Sequence, residues 1–139
     1  MKIVPDTNVL ISATFWEGEA NRIIKLVEDK KIACFLSKPI IDEYIRVLKS
    51  DEIIDKIEEK GLIERLSIVK LIQISKIVNP TRKIEIIEND PDDNKILECA
   101  SEAKADYIIT YDQKHLIPIK EFEGIKIILP KDFLSEFTF

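Results

Sequence analysis

The sequence predicts an α/β fold around a central parallel sheet, and three observations carry that prediction. Short apolar runs of strand length, at residues 2–5, 32–36, 107–110 and 125–129, are separated by longer stretches whose apolar residues recur at helical spacing. Strands joined by helix-length crossovers pair in parallel, so the alternation itself points to a parallel sheet. The chain has 139 residues, of which 45% are hydrophobic and 34% charged, with a formal net charge of −5. That composition excludes disordered and collagen-like classes and fits one globular domain over residues 1–139. No run of about 18 apolar residues occurs, so no membrane partner is expected. The opening MKIVPDTNVL meets Pro5 and Asp6 too early for a signal peptide, so a cytoplasmic location is expected.

The elements follow in order. Residues 2–5 form a buried strand ending at Asp6, and the apolar residues 9–11 continue into a loop or helix. Pro5 has no ladder donor to offer. Asn21 is expected to cap a helix with Ile23, Ile24 and Val27 on one face, ending near Lys30 and Lys31. Residues 32–36 read as a strand. Ser37, Lys38 and Pro39 have the cap and first-turn proline of a helix that runs to about Leu48. A helix over 51–59 stops at Gly61, and another over 62–74 carries Leu66, Val69 and Ile72 at helical spacing. Asn79-Pro80 ends this block. Residues 84–87 are expected to be a short extended piece, and Asp90-Pro91-Asp92-Asp93 opens a helix reaching about Lys104. Strands at 107–110 and 125–129 and a last helix at 131–136 complete the chain, with Phe133, Leu134, Phe137 and Phe139 read as core. No repeat, low-complexity tract or linker interrupts it.

Right-handed crossovers gather functional groups outside the carboxyl ends of parallel strands, and both Asp6 and Asp112 follow a strand directly or nearly so. Glu43 shares a helix stripe with Ile40, Tyr44, Val47 and Leu48, where a carboxylate either lies at the stripe's margin or needs an ion pair with a lysine or Arg46, or a bound cation. Asp93 precedes Ile96, Leu97 and Ala100 by three, four and seven positions, on the buried side of a helix start. Each acid alone has an ordinary reading: a turn or cap for Asp6 and Asp112, and a complement to the helix dipole for Asp90, Asp92 and Asp93. Together at one sheet edge they would repel unless protonated or neutralised, and Mg²⁺ or Mn²⁺ suits oxygen ligands. Cys34 and Cys99 stand far apart and read as buried thiols, and His115 is the single histidine. Metal chemistry is therefore expected to use carboxylates.

The order of these motifs resembles the PIN-domain nucleases, in particular the small prokaryotic proteins that include VapC-type toxins. The carriers are Asp6-Thr7-Asn8-Val9-Leu10, Glu43-Tyr44, the run from Asp90 to Ala100, and Ile109-Thr110-Tyr111-Asp112 with His115-Leu116 beyond. The resemblance implies a three-layer α/β/α fold and a metal-binding catalytic site of Asp6, Glu43, Asp93 and Asp112, supported by Asn8 and Thr110. It implies hydrolysis of RNA phosphodiester bonds with one or two Mg²⁺ or Mn²⁺ ions, an antitoxin protein as partner, and a homodimer. Asp90 and Asp92 are left as outer groups or caps. Two positions depart from the family pattern. Pro5 stands where an aliphatic residue is usual and should shorten the strand; Tyr111 stands where a small residue is common and would narrow the cleft or stack on a base. Arg46, Lys49, Lys76, Arg82 and Lys83 are candidate phosphate contacts, although each reads more readily as a solvated surface charge. The competing reading is a non-catalytic PIN-like module that binds RNA or a protein without cutting. A receiver domain would need an acidic pair after the first strand, where this chain has a lone Asp6. A haloacid-dehalogenase phosphatase would need an aspartate where Asn8 stands.

Overall fold

Continuous apolar runs become strands here because helices cover both of their faces. In the first strand, β1 (Lys2–Pro5), three consecutive residues are buried, and in β2 (Ala33–Ser37) four are. Such unbroken burial belongs to a parallel sheet with two covered faces. The computed structural model describes residues 1–60, 62–87 and 93–136. Gly61, Asp90, Asp92, Phe137, Phe139 and the side chain of Leu66 lie outside the described residues.

Helices α1 (Thr7–Phe15) and α2 (Glu19–Glu28) link β1 to β2, and α3 (Lys38–Leu48), α4 (Asp51–Lys60) and α5 (Leu62–Ile74) lead on to β3 (Lys76–Val78). Helix α6 (Asn94–Ala103) then precedes β4 (Tyr107–Ile109), and β5 (Glu121–Phe122), β6 (Ile125–Ile128) and α7 (Pro130–Glu136) follow. The six strands form one sheet in the order β3-β2-β1-β4-β6-β5. All neighbours are parallel except the β5–β6 pair. From β1 the chain steps outward through β2 to β3, then reverses across the sheet to β4. Right-handed crossovers of opposite direction put their helices on opposite faces. Helix α6 accordingly packs across β1, β2, β3 and β4, while α1, α2, α5 and α7 contact one another, giving the three-layer α/β/α arrangement. The core is continuous through the sheet, with Ile3, Leu10, Leu36, Tyr44, Leu97, Ile108 and Phe133 fully buried. Phe133 thus has the core position expected of it. Cys34 and Cys99 are buried free thiols, and burial raises both to a pKa of about 12.

Pro5 shortens one ladder and spares the other. Alternate residues of a central strand face alternate neighbours. The Asp6 N–H bonds Ile109 O on β4 at 2.9 Å, so the donorless nitrogen of Pro5 faces β2. Pairing with β2 stops at Ile3↔Cys34, whereas pairing with β4 extends to Pro5↔Ile109.

Other expectations are corrected. Asn21 lies inside α2, not at its cap; Gly18 holds the cap position, and the Asn21 amide donates to Ala13 O at 2.9 Å, fastening α2 to α1. Residues 84–87 join no strand, because side chains of α6 take their backbone groups. Ile84 N–H donates to Glu98 Oε2, and Ile87 exchanges two bonds with the Asn94 amide. Three short pieces were absent from the sequence reading: β3, a 3₁₀ turn at Ile117–Ile119, and β5. The β5–β6 hairpin closes on Glu123 and Gly124, both with positive φ (52° and 81°), the backbone of a two-residue primed turn.

Candidate functional site

The direction of travel through the sheet reverses at β1, so the crevice between β1 and β4 is the topological switch point, where open α/β sheets bind ligands beyond the carboxyl ends of their strands. Asp6 leaves β1 at that edge and Asp112 follows β4 there. Asp6 has extended backbone angles, and its carbonyl accepts the first helical bonds of α1, from Val9 N–H (3.0 Å) and Leu10 N–H (3.1 Å). Its side chain does not cap the helix. Instead Oδ2 accepts from Thr110 Oγ1 at 2.7 Å, and the same hydroxyl accepts from Asp112 N–H at 2.9 Å. One fully buried threonine therefore ties the two strand-end aspartates together.

Asp112 divides its oxygens. Oδ1 accepts from the N–H groups of Lys114 (3.0 Å) and His115 (2.9 Å), forming the expected aspartate turn. Oδ2 lies 3.6 Å from His115 Nδ1, which is also 3.5 Å from Asp93 Oδ2. Asp93 occupies the cap position of α6, and its side chain makes no cap bond either. Asp93, Asp112 and His115 each present one ligating atom within 4.8 Å of the others. Among the described residues this is the one set of three such groups so disposed. His115 is the addition that sequence reasoning missed. Its signal was its place three residues after Asp112, within reach of the turn that Asp112 builds.

Glu43, partly buried on α3, is ion-paired with Lys95 of α6, whose side chain is only 13% exposed. A lysine partner was among the readings open for Glu43; which lysine could not be known until α6 was docked beside α3. Asp6 is 7% exposed. Burial pushes its carboxyl above the usual value, hydrogen bonds from Thr110 and the Thr7 backbone oppose this, and the negative charges of Glu43 and Asp112 add to the rise. For Asp112 burial also works upward. The hydrogen bonds from His115 N–H, the Asp93 side chain and Lys114 N–H, with the nearby His115 charge, outweigh it and hold the group below its usual value. All four predicted acids thus stand in one electrostatic neighbourhood, split between a tight Asp93–Asp112–His115 group, the Thr110-bound Asp6 and the lysine-bound Glu43.

The remaining candidates are less concentrated. Asn8 is exposed on the first turn of α1. Arg46 and Lys49 are exposed at the end of α3. Lys76 begins β3, near the opposite, amino-terminal end of the sheet, with its ammonium 5.8 Å from the Phe35 ring centre. There it lines a cavity of about 390 Å³ together with Lys30 and Lys31. Arg82 is paired with Glu123 (2.6 Å) and Lys83 with Glu85 (3.3 Å). Tyr111 is 39% exposed beside Asp112.

Two carboxylates and an imidazole on partly buried backbone turns suit a small divalent cation, since Mg²⁺ and Mn²⁺ take oxygen ligands and Mn²⁺ lies closer to the metals that favour nitrogen. An ionised Asp112 is ready to serve as a ligand.

The comparisons with known proteins agree with this architecture. The family model described as "PIN domain" matches residues 2–114. No curated protein matches the chain. A solved structure from Rickettsia felis, VapBC2 bound to a DNA fragment from its promoter, includes a chain with the same fold. The likeness has a TM-score of 0.60 at 14% identity and covers 93% of this chain and 98% of that one.

Proposed function

The chain belongs to the PIN-domain family, and from that premise we propose that it is a divalent-metal-dependent endoribonuclease that acts as the toxin of a toxin–antitoxin pair. The observation that carries the catalytic reading is the convergence of Asp93, Asp112 and His115 beside the buried Asp6 at the switch point of the sheet. The antitoxin reading is supported by the fold shared with the VapBC2 structure. No described helix is long and apolar enough to cross a membrane. The proposal includes a cytoplasmic location, a single domain and a homodimer.

In the proposed site, Asp93, Asp112 and His115 would hold Mg²⁺ or Mn²⁺, with Asp6 next to them. A bound cation of this kind supplies charge neutralisation for the phosphodiester and lowers the pKa of a coordinated water. The residues of the chain do the rest. Thr110 fixes the Asp6 carboxylate, so its second oxygen is directed without a search over rotamers. The Lys114 and His115 N–H groups keep Asp112 anionic and leave Oδ2 to the site. Asp6, whose proton affinity is raised by burial, is suited to accept a proton from an attacking water. Arg46 and Lys49, exposed on α3, are proposed to contact the RNA backbone, and Tyr111 to stack on a base. Lys76 faces away from this edge, and Arg82 and Lys83 have acidic partners, so they are weaker candidates.

The test is cleavage of end-labelled single-stranded RNAs by the purified chain with Mg²⁺, Mn²⁺ or EDTA, with Asp93→Asn alongside. Cleavage that is lost in EDTA and in the variant supports the proposal. Folded protein that binds RNA but leaves it intact with every metal would replace it with the non-catalytic module. The toxin role predicts growth arrest on expression, relieved by a co-expressed partner.

A further inference from the structure

The acids of the site do not form one symmetric ring. Asp93 and Asp112 converge on His115. Glu43, on the other helix, is bound by an ammonium: its Oε2 is paired with Lys95 Nζ, and the two side chains are 26% and 13% exposed. A pair so withdrawn from water is weakly screened, and removing either partner leaves an uncompensated buried charge. Glu43 is thus not free to gather a second cation without first losing the partner that the fold itself provides.

From this, and resting on the nuclease reading above, we propose that the site takes a single divalent cation, at Asp93, Asp112 and His115, and that the Lys95 ammonium supplies the second positive charge at Glu43. The charges support this division. Four carboxylates set against one dication and one ammonium leave a single net negative charge, whereas a second dication would make the site positive before any phosphate arrived. The position of Lys95 is secured by sequence. It lies two residues beyond Asp93 on the first turn of α6, so the element that carries a metal ligand also carries the fixed cation, and both are aligned by the same docking of α6 on the sheet. The role of Glu43 then differs from that of Asp93 and Asp112. It is a positioning residue, holding an ammonium in place of a metal ion.

The experiment counts metal ions on the intact chain. Mn²⁺ is titrated calorimetrically, and the saturated protein is examined by electron paramagnetic resonance. One Mn²⁺ per chain with the six-line spectrum of an isolated ion is expected. Two per chain, with the broadened spectrum of coupled ions about 3.5–4 Å apart, would overturn the inference and leave the metal-nuclease reading standing. No binding at all would overturn both. In Lys95→Met, Glu43 is released, and the stoichiometry should rise to two with a coupled spectrum; Lys95→Arg should stay at one. A count that stays at one in a folded Lys95→Met protein would show that Lys95 does not exclude a second ion. The parent measurement needs no variant, so the proposal stays testable even if Lys95→Met does not fold.

Discussion

Thr110 illustrates how one buried hydroxyl serves both sides of a crevice, donating to Asp6 and accepting from Asp112 N–H. Thr110→Val keeps the shape and removes both bonds, leaving a buried carboxylate and an amide short of partners. A loss of roughly 1.5–3 kcal/mol is expected, read by urea denaturation. Asp6 and Asp112 act on stability with opposite signs. The folded state raises Asp6, so its ionisation weakens the fold as pH rises above the ordinary carboxyl value of 3.8. Asp112 is lowered, so its stabilising share is complete above 3.8 and fades as pH falls through its folded value. In the absence of metal, Asp6→Asn should therefore raise the melting temperature at neutral pH, and the gain should shrink as pH falls below the ordinary carboxyl value of 3.8, where the parent carboxyl is also neutral. The same variant should bind Mn²⁺ more weakly. At this scale the sequence marked Asp6, Asp93 and Asp112 as candidates, because each stands where a strand ends or a helix starts. It did not reveal His115 or Lys95, whose roles depend on a turn closing and on two helices meeting. Nor did it reveal that Asn21 spends its amide on α1, since a cap and a tertiary hydrogen bond call for the same residue type.

Helix α6 is the element on which the site turns. Besides Asp93 and Lys95 it carries Asn94, whose amide donates to Ile87 O at 3.0 Å and accepts from Ile87 N–H at 2.9 Å in a buried setting. Asn94→Ala would strand both backbone groups at a cost of about 2–3 kcal/mol. Hydrogen exchange should then quicken at Ile84 and Ile87 before it quickens in β1. The long helices and the central strands were legible from periodicity and burial alone. The short pieces were not: β3 has three residues, β5 has two, and neither length gives a period to count. Residues 84–87 misled for a different reason. They have the composition of a strand, yet their backbone partners are side chains of α6, which no local pattern reports.

For the molecule as a whole, a ligand that binds only the folded chain stabilises it. Mn²⁺ at about 100 times its dissociation constant should add about 2.7 kcal/mol, seen as a rise in melting temperature that Asp93→Asn abolishes. The sheet order could be anticipated only in part. Alternating strands and helices implied parallel pairing, and the rule for strand ends put Asp6 and Asp112 at one edge. The central place of β1 and the antiparallel β5 emerge only from long-range contacts.

The bond from Thr110 to Asp6 joins residues 104 positions apart. A ribosome therefore makes Asp6 104 residues before it makes Thr110. During synthesis, β1 must wait for β4, and every shorter nascent chain lacks one wall of the crevice. A prematurely terminated product would carry the opening aspartate and both α3 and α6 and still be unable to cut. For a proposed RNA-cleaving protein made beside messenger and ribosomal RNA, this late closure would keep unfinished copies harmless to the machinery translating them.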